Sequence, residues 1–241
     1  MSLYRMKLKL LSPYTAYMRR KERHLPEESR DYLETHHYSP AYYRFIASQM
    51  EHPGQLYEGP IDESSVALDV GAYVGEWAEE IRKRYGARVY AFEPNPECHA
   101  DLEKRLGHDA KVTCFDYGLF SKDTTLVLEQ KAMGSTLFED GLGAGHGRVS
   151  VRLRDVVKVL DELSLDEVGL LKINIEGAEY ELLDRLIDSG YIRRIRCLMV
   201  QFHEWRDGAY FRRWRIHRGL RRTHVCDWNH PFIWEKWTRR S

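Results

Sequence analysis

From Val66 onward, short runs of β-branched and aromatic residues alternate with longer segments whose apolar positions recur at helical spacing. This alternation is typical of βαβ units with parallel strands. The pattern predicts an α/β fold with a doubly wound sheet. The predicted strands are residues 65–70, 88–92, 111–116, 170–175, 197–202, 224–228 and 232–237. The predicted helices are residues 75–85, 96–106, 178–189 and 210–222, the third closed by Gly190.

Two regions depart from this alternation. Residues 121–161 contain two strand-like pieces, 124–129 and 148–152, around a glycine-rich loop at 141–147, and we expect an elaboration near the ligand cleft. The first sixty residues contain helical pieces, 27–34 and 40–50, and end in the breaks Pro53-Gly54 and Gly59-Pro60. We therefore predict an N-terminal helical extension, residues 1–60, and a main domain, residues 61–241. The aromatic residues near His36-His37-Tyr38 and Tyr42-Tyr43-Arg44 make the extension either a lid or a packing element.

A strand running into a glycine turn occupies residues 67–75, Ala-Leu-Asp-Val-Gly-Ala-Tyr-Val-Gly. Gly71 allows the backbone to approach a ligand, and Gly75 allows the next helix to start close to the sheet. The spacing is not the GxGxxG that seats the pyrophosphate of a dinucleotide. Asp69 suits a ligand that carries an ammonium group or bound waters better than one with two phosphates. We expect a cofactor to bind at Asp69, Gly71, Ala72, Tyr73 and Gly75.

Acidic residues also end the second and third predicted strands. Glu93, followed by Pro94, can accept hydrogen bonds from both ribose hydroxyls of an adenosine. Alone, Asp69 and Glu93 read as strand-end or surface acids; together, they favour a nucleoside cofactor. Asp116 is placed to accept from an adenine amino group, with Tyr117 beside the ring, although Asp116 could equally cap the following turn.

Three segments resemble the FkbM-type methyltransferases: Leu-Asp-Val-Gly-Ala at 68–72, Ala-Phe-Glu-Pro at 91–94, and above all Leu-Lys-Ile-Asn-Ile-Glu-Gly-Ala-Glu at 171–179. The third is similar to the family's K-I-D-x-E-G-A-E segment, with Asn174 where the family most often has Asp. The resemblance implies a sheet ordered 3-2-1-4-5-7-6 with an antiparallel seventh strand. It also implies S-adenosylmethionine as methyl donor, S-adenosylhomocysteine as product, and usually a hydroxyl oxygen of a small molecule or glycan as acceptor. Asn174 then joins the cofactor site.

Methyl transfer from a sulfonium is an in-line displacement, so the protein mainly aligns the acceptor and excludes water. In open α/β sheets, ligands bind beyond the carboxyl ends of the strands, where Glu176, Glu179 and His203 fall. His203 is the first choice for general base, because an unperturbed pKa of about 6.5 suits proton removal near neutrality. A structural histidine capping its strand explains the residue equally well. Glu176 is expected to orient the acceptor or the methionine moiety, and Glu179 to cap the next helix.

Metal chemistry is the less favoured scheme. Asn174, Glu176 and His203 could gather a divalent cation that lowers the pKa of an acceptor hydroxyl. These candidate ligands come from separate segments without the helical spacing of known zinc sites, so we predict no metal site. The four cysteines are widely spaced and predict neither a structural zinc nor a disulfide framework.

The charge balance leaves a rival function open. The chain carries 37 basic and 37 acidic residues, yet from Arg193 to the end it holds 13 Lys+Arg and 4 Asp+Glu, with five of the six tryptophans. This basic, aromatic region raises the alternative of an RNA-modifying or nucleic-acid-binding protein. A solvated arginine-rich helix face is the commoner explanation, so nucleic acid is not our expected partner. An oxidoreductase is disfavoured by the missing GxGxxG, and a binding module without turnover stays open because of Asn174.

The apolar runs are too short to span a bilayer, and Arg5, Lys7 and Lys9 interrupt the start of the chain, which makes it a poor signal peptide. We expect no membrane partner and a cytoplasmic location.

Overall fold

The computed structural model describes residues 40–131, 134–136 and 147–240. The chain divides into two compact units, Met1–Gln55 and Leu56–Ser241. In the first unit, helix α1 (Pro40–Glu51) confirms the helix predicted at 40–50, and Ser48 Oγ accepts a 2.6 Å hydrogen bond from Gln55 Nε2. The helix predicted at 27–34 and the residues His36-His37-Tyr38 lie outside the described residues. The lid and the domain boundary at residue 60 stay predictions.

The described residues of the second unit form two sheets. Their strands are β1 (Val66–Val70), β2 (Arg88–Phe92), β3 (Val112–Phe115), β4 (Gly118–Phe120), β5 (Thr124–Lys131), β6 (Gly134–Thr136), β7 (Gly147–Asp155), β8 (Val168–Ile173), β9 (Ile195–Val200), β10 (His224–His230) and β11 (Trp234–Arg239). The large sheet has the order β3-β2-β1-β8-β9-β11-β10, in which β11 is antiparallel to β9 and β10. Counted along the chain within this sheet, the order is 3-2-1-4-5-7-6, which confirms the predicted topology.

Helices cover both faces of the large sheet. They are α2 (Glu76–Tyr85), α3 (Pro96–Leu106), α4 (Val156–Glu162), α5 (Glu179–Asp188) and α6 (Ala209–Leu220). Ala67 of β1 belongs to the buried cluster formed with α2 and α3, whereas Leu68 belongs to the cluster formed with α4, α5 and α6. Successive strand residues point to opposite faces, so β1 contributes to both cores. This confirms the doubly wound architecture.

The smaller sheet, in the order β4-β7-β5-β6, confirms the extra strands expected between residues 121 and 161. The glycine-rich loop at 141–147 lies outside the described residues except for Gly147. Helix α4 was not predicted, because seven residues are too few to establish a helical period. Its start is nevertheless marked by Asp155, whose side chain accepts from Val157 N at 2.9 Å.

The strand ends differ from the sequence prediction where the ligand crevice lies. β8 and β9 each begin and end two residues earlier than predicted. Asn174-Ile175 and Gln201-Phe202 continue the apolar pattern of the strands, but they already belong to the connections beyond the carboxyl ends. Periodicity alone cannot separate such residues from the strand.

The helices among the described residues are all too short or too polar to span a bilayer.

Gly75 fills a role different from the expected one. It has φ 86°, and a Cβ on it would lie 2.7 Å from Leu102 Cδ1 and 3.0 Å from Leu106 Cδ1. Gly75 therefore lets α2 start close to α3, whereas we had expected it to bring the helix close to the sheet.

We predict that Gly75→Ala destabilises the protein more than Gly190→Ala. Both glycines have positive φ, of 86° and 80°, but nothing lies within 4 Å of a Cβ on Gly190. Left-handed backbone costs an ordinary residue about 1–2 kcal/mol, and overpacking against α3 adds about 1–3 kcal/mol at Gly75 alone. Urea unfolding measures the difference in the free energy of unfolding. An equal decrease in the free energy of unfolding for the two variants would show that Leu102 and Leu106 move away from the added methyl group without an energetic penalty.

Candidate cofactor and acceptor site

A buried ion pair joins the two central strands of the large sheet. Asp69 of β1 and Lys172 of β8 are partners in the parallel register. Lys172 Nζ donates to Asp69 Oδ1 at 2.8 Å and to the Gly71 carbonyl at 2.7 Å. Asp69 is fully buried and Lys172 is 7% exposed. Burial raises the pKa of Asp69, and the Lys172 ammonium opposes that rise. Lys172 thus ties β1, the glycine turn and β8 together.

The glycine turn comes close to the end of β8. Gly71 has φ 80°, and a Cβ on it would lie 1.9 Å from the Asn174 carbonyl oxygen. Gly71 N and Ala72 N donate to the Phe92 carbonyl at 3.0 and 3.1 Å. The connection after β1 leads to β2 on one side of β1, whereas β8 pairs with β1 on its other side. The turn after β1 therefore lies at the topological switch point of the sheet. Ligands of open α/β sheets bind in the crevice at this point.

Glu93 lies next to this turn and is 8% exposed. Its Oε2 accepts from Tyr73 N at 2.8 Å, and its Oε1 accepts from Asn95 N at 2.9 Å. Burial raises the pKa of Glu93 to about 7, although the two backbone hydrogen bonds act in the opposite direction. Each carboxylate oxygen keeps a second lone pair for a ribose hydroxyl. The arrangement therefore fits an adenosine group.

Asn174 supplies an unsatisfied acceptor at the same crevice. Its backbone N–H donates to the Val70 carbonyl at 3.0 Å, while its Oδ1 is buried with no hydrogen-bond partner among the described residues. A buried acceptor without a donor is unfavourable by about 1–3 kcal/mol. A ligand ammonium would satisfy this atom, so the crevice fits a cofactor that carries an amino group.

The two residues after β3 differ in their exposure to solvent. Asp116 is exposed and forms a 2.7 Å ion pair with Arg152. Tyr117 is buried, with its ring 5.1 Å from that of Phe115 and 5.8 Å from that of Phe92. Tyr117 thus belongs to the core beneath the crevice. The contact of either residue with adenine stays a prediction.

A strained turn follows β8 on the acceptor side. Glu176 has φ 49° and Gly177 has φ 98°. Glu179, the first residue of α5, is fully buried, and its Oε2 accepts from Gly177 N at 2.8 Å. Its Oε1 accepts from His203 N at 2.8 Å and lies 3.2 Å from His203 Nδ1. Glu179 thus lies in the first turn of α5, but its carboxylate binds Gly177 N and His203 and does not, as had been expected, cap a backbone N–H of the helix.

His203 lies between two carboxylates. Its Nε2 is 3.4 Å from Glu176 Oε2, and its carbonyl accepts a 2.8 Å hydrogen bond from Tyr180 Oη. Burial disfavours the imidazolium, but the hydrogen bonds to Glu176 and Glu179 outweigh burial and raise the pKa of His203 to about 10. The ordinary pKa that supported a general base is therefore absent: His203 is a cation at neutral pH.

Trp205 and Arg206 cover the strained turn. A Cβ on Gly177 would lie 2.7 Å from Trp205 Cη2 and 2.8 Å from Arg206 Cδ. The Trp205 ring lies 6.1 Å from the His203 ring, and Arg206 binds Glu181 at 3.2 Å. The two side chains hold Gly177 in place, which keeps Glu176 beside His203.

Sequence reasoning missed the roles of Lys172, Trp205 and Arg206, and it missed the contact of Glu179 with His203. A signal existed for Lys172, which is the only charged residue in the apolar run 168–173. A lysine in a strand buried on both faces needs a buried partner. No comparable signal marked Trp205 and Arg206, whose contact with Gly177 depends on the loop after β9. Among the described residues, no group of three or more His, Cys, Asp or Glu could hold a metal ion.

The comparison with protein families decides to which family the chain belongs. Residues 69–222 match the model of the methyltransferase FkbM domain. The chain belongs to the FkbM methyltransferase family. The matched region includes the glycine turn, Glu93, the strained turn and His203, and the domain is thus a methyltransferase domain whose cofactor is S-adenosylmethionine.

Two curated relatives resemble this FkbM domain. One is the AMB antimetabolite synthetase AmbE of Pseudomonas aeruginosa, 29% identical over 186 residues, with 60% of this chain and 9% of that protein covered. The other is the methyltransferase sdnD of Sordaria araneosa, 28% identical over 174 residues, with 57% of this chain and 66% of that protein covered. The chain thus spans about two thirds of one relative and a small part of the other.

Solved structures are similar at lower identity. A putative methyltransferase from Streptococcus mutans in complex with SAH has 10% identity and a TM-score of 0.45, covering 75% of this chain and 91% of that one. An rRNA methylase from Streptococcus thermophilus has 12% identity and a TM-score of 0.43, and the match covers 75% of this chain and 90% of that one.

We predict that Lys172→Met destabilises the FkbM domain by about 3–5 kcal/mol, because it leaves the buried Asp69 without a counter-charge. Adding Asp69→Asn should recover much of this loss. Lys158→Met is the control, since Lys158 and Asp123 form a 2.6 Å pair that is largely exposed and should contribute little. Urea unfolding gives the three free energies. A loss at Lys172 no larger than that at Lys158 would contradict the prediction.

We also predict that S-adenosylmethionine binds more tightly as pH rises through about 7. Ribose hydroxyls donate to the ionised Glu93, and protonation at its pKa of about 7 removes an acceptor. Below this pKa, the dissociation constant should increase by up to about tenfold per pH unit. Titration calorimetry between pH 5.5 and 8.5 measures the effect. Glu93→Gln should abolish the pH dependence, and the exposed Glu97→Gln should preserve it; a flat wild-type profile would contradict this role.

Proposed function

We propose that the chain transfers a methyl group from S-adenosylmethionine to a hydroxyl oxygen of a small molecule, sugar or natural product. The bound cofactor supplies an electrophilic methyl group on a sulfonium. The observation that carries the proposal is the charged cluster of Glu176, His203 and Glu179 directly beyond β8, the strand that borders the cofactor crevice. A hydroxyl acceptor needs a proton acceptor at this position, and the cluster provides one.

We assign the cofactor to the residues around the switch point. Glu93 binds the ribose, Asn174 accepts from the amino group, and Asp69 with Lys172 fixes the turn that faces the ligand. Asp116 and Tyr117 border the adenine position. The full set is Asp69, Gly71, Ala72, Tyr73, Gly75, Glu93, Pro94, Asp116, Tyr117 and Asn174.

On the acceptor side, we assign the proton acceptor to Glu176. Its side chain is 38% exposed, so an acceptor hydroxyl can reach it, whereas the His203 side chain is 10% exposed. His203 has a pKa of about 10 and carries its own proton at neutral pH. It acts as a positioning residue, because its imidazolium holds the Glu176 carboxylate. The positive φ of Glu176 supports this role, since strained backbone at a reactive group is typical of functional sites.

The basic C-terminal region does not require a nucleic-acid acceptor. Several of its arginines are already neutralised within the domain: Arg206 and Arg212 bind Glu181, Arg213 binds Glu235, and Arg215 binds Asp184. This pairing supports a structural role for much of the positive charge, and it favours the small-molecule reading.

The test is transfer of labelled methyl from S-adenosylmethionine to a panel of hydroxyl compounds, with product analysis by mass spectrometry and kcat/KM measured against pH. We expect Glu176→Gln to lower kcat/KM by about 10²–10⁴-fold while cofactor binding persists. The wild-type rate should fall as pH rises through about 10, because neutral His203 no longer holds Glu176. Glu179→Gln removes one of the two carboxylates and should move this fall to lower pH.

His203→Gln is the matched variant for the positioning role, since it keeps a hydrogen-bond donor without the charge. It should lower kcat more than it changes KM and should remove the alkaline fall. A rate that instead rises toward pH 10, with the rise lost in His203→Gln, would assign the base to His203. Transfer to nitrogen or carbon acceptors alone would overturn the proposed acceptor class.

A further inference from the structure

Helix α6 presents two chemically different faces. Ala209, Ile216 and Leu220 are buried against the sheet. At 100° per residue, the opposite direction is occupied by Phe211, Trp214 and Arg218. We define the α6 outer surface as these three residues together with their neighbours on the same side, in α6 and in the turn after it: Arg215, Arg221 and Arg222.

The aromatic part of this surface is exposed. Phe211 is 65% exposed and Trp214 is 52% exposed, and their rings stack at 5.7 Å with an interplanar angle of 28°. The Arg218 guanidinium lies 5.9 Å from the Trp214 ring centre. Adjacent large apolar side chains left in water mark an interaction surface more often than scattered ones do. Phe211 and Trp214 project from a helix, so they form a ridge.

The charge of the α6 outer surface has a single sign. Helix α6 contains no acidic residue. Arg215 is paired with Asp184, whereas Arg218, Arg221 and Arg222 are exposed and form no ion pair with any described residue. The inward-facing arginines of α6 differ, because Arg212 and Arg213 bind Glu181 and Glu235. Unneutralised positive charge beside exposed rings calls for an anionic partner.

We propose that the α6 outer surface docks the protein on an anionic lipid bilayer. Tryptophan and phenylalanine settle at the level of the headgroups, and flanking arginines bind lipid phosphates. A ridge fits a planar surface, whereas single-stranded nucleic acid is held in grooves lined by aromatic side chains. Our expectation of no membrane partner was based on the lack of a spanning segment, and docking at a bilayer surface needs none.

Docking would place the acceptor crevice close to the bilayer. Helix α6 follows β9 through the connection that carries His203, and Phe211 is only eight residues beyond His203. The aromatic ridge therefore lies toward the end of α6 that adjoins the carboxyl ends of the strands. The inference does not depend on the proposed acceptor or on the roles of Glu176 and His203.

The experiment measures binding of the full chain to vesicles by sedimentation at low salt. Vesicles of phosphatidylcholine with one third phosphatidylglycerol are compared with vesicles of phosphatidylcholine alone. We expect binding to the anionic vesicles, weakening as salt screens the charges. Arg218→Ser and Arg222→Ser should each reduce the partition coefficient by about fivefold. Phe211→Ser and Trp214→Ser should reduce it by about tenfold or more without changing the net charge.

Arg88→Ser and Val127→Ser are the controls, since the first removes an exposed arginine and the second an exposed apolar side chain, both outside α6. Both should bind vesicles as the wild type does. Retained affinity for S-adenosylmethionine shows that each variant is folded. Absence of binding to anionic vesicles, or binding insensitive to Phe211 and Trp214, would overturn the proposal. Tighter binding of a 12-nucleotide single-stranded RNA through the same residues would overturn it in favour of a nucleic-acid surface.

Discussion

The ion pair between Asp69 and Lys172 is the interaction on which the site depends. Burial of either charge between the central strands would be unfavourable without the opposite charge beside it. Lys172 also donates a hydrogen bond to the Gly71 carbonyl. The pair therefore fixes both the strand register and the turn that follows β1. Because Gly71 also approaches the Asn174 backbone, the crevice between β1 and β8 has little freedom to widen or slip. The position of Glu93 beside that crevice follows from the same turn, through Tyr73 N.

Beyond β8, three ionisable side chains lie close together beside a strained turn, in contrast to the single ion pair between β1 and β8. Two carboxylates and one imidazolium share a small volume, and the imidazolium is stabilised because both carboxylates face it. Trp205 and Arg206 occupy the space that a side chain at Gly177 would need, so the left-handed turn at Glu176 cannot relax easily. In the proposed reaction, the proton of the acceptor hydroxyl passes to a carboxylate whose position is set before the acceptor binds.

Helix α6 links these features to the rest of the molecule. Its inner face seals the core and engages Glu235 through Arg213 and His217. Its outer face bears two exposed aromatic rings and three arginines, Arg218, Arg221 and Arg222, that form no ion pair with any described residue. Exposed aromatic and arginine side chains that do not stabilise the fold are expected to bind a partner outside the chain.

The sequence by itself determined the alternation of strands and helices and, through its resemblance to the FkbM methyltransferases, the strand order of the large sheet and the kind of cofactor. Apolar runs in the sequence indicate the strands. The glycine turn follows β1 and Glu93 follows β2, two strands whose ends the sequence pattern predicts correctly. Only the tertiary structure decided the electrostatic environment of His203. The pKa of His203 depends on Glu176 and Glu179, which lie 27 and 24 positions away in the chain and approach it through folding alone. The buried hydrogen bond of Lys172 likewise forms only through folding, because its partner Asp69 is 103 residues away in the chain. Local sequence encodes backbone preference and burial, whereas electrostatic environment is a property of the neighbours that packing brings together.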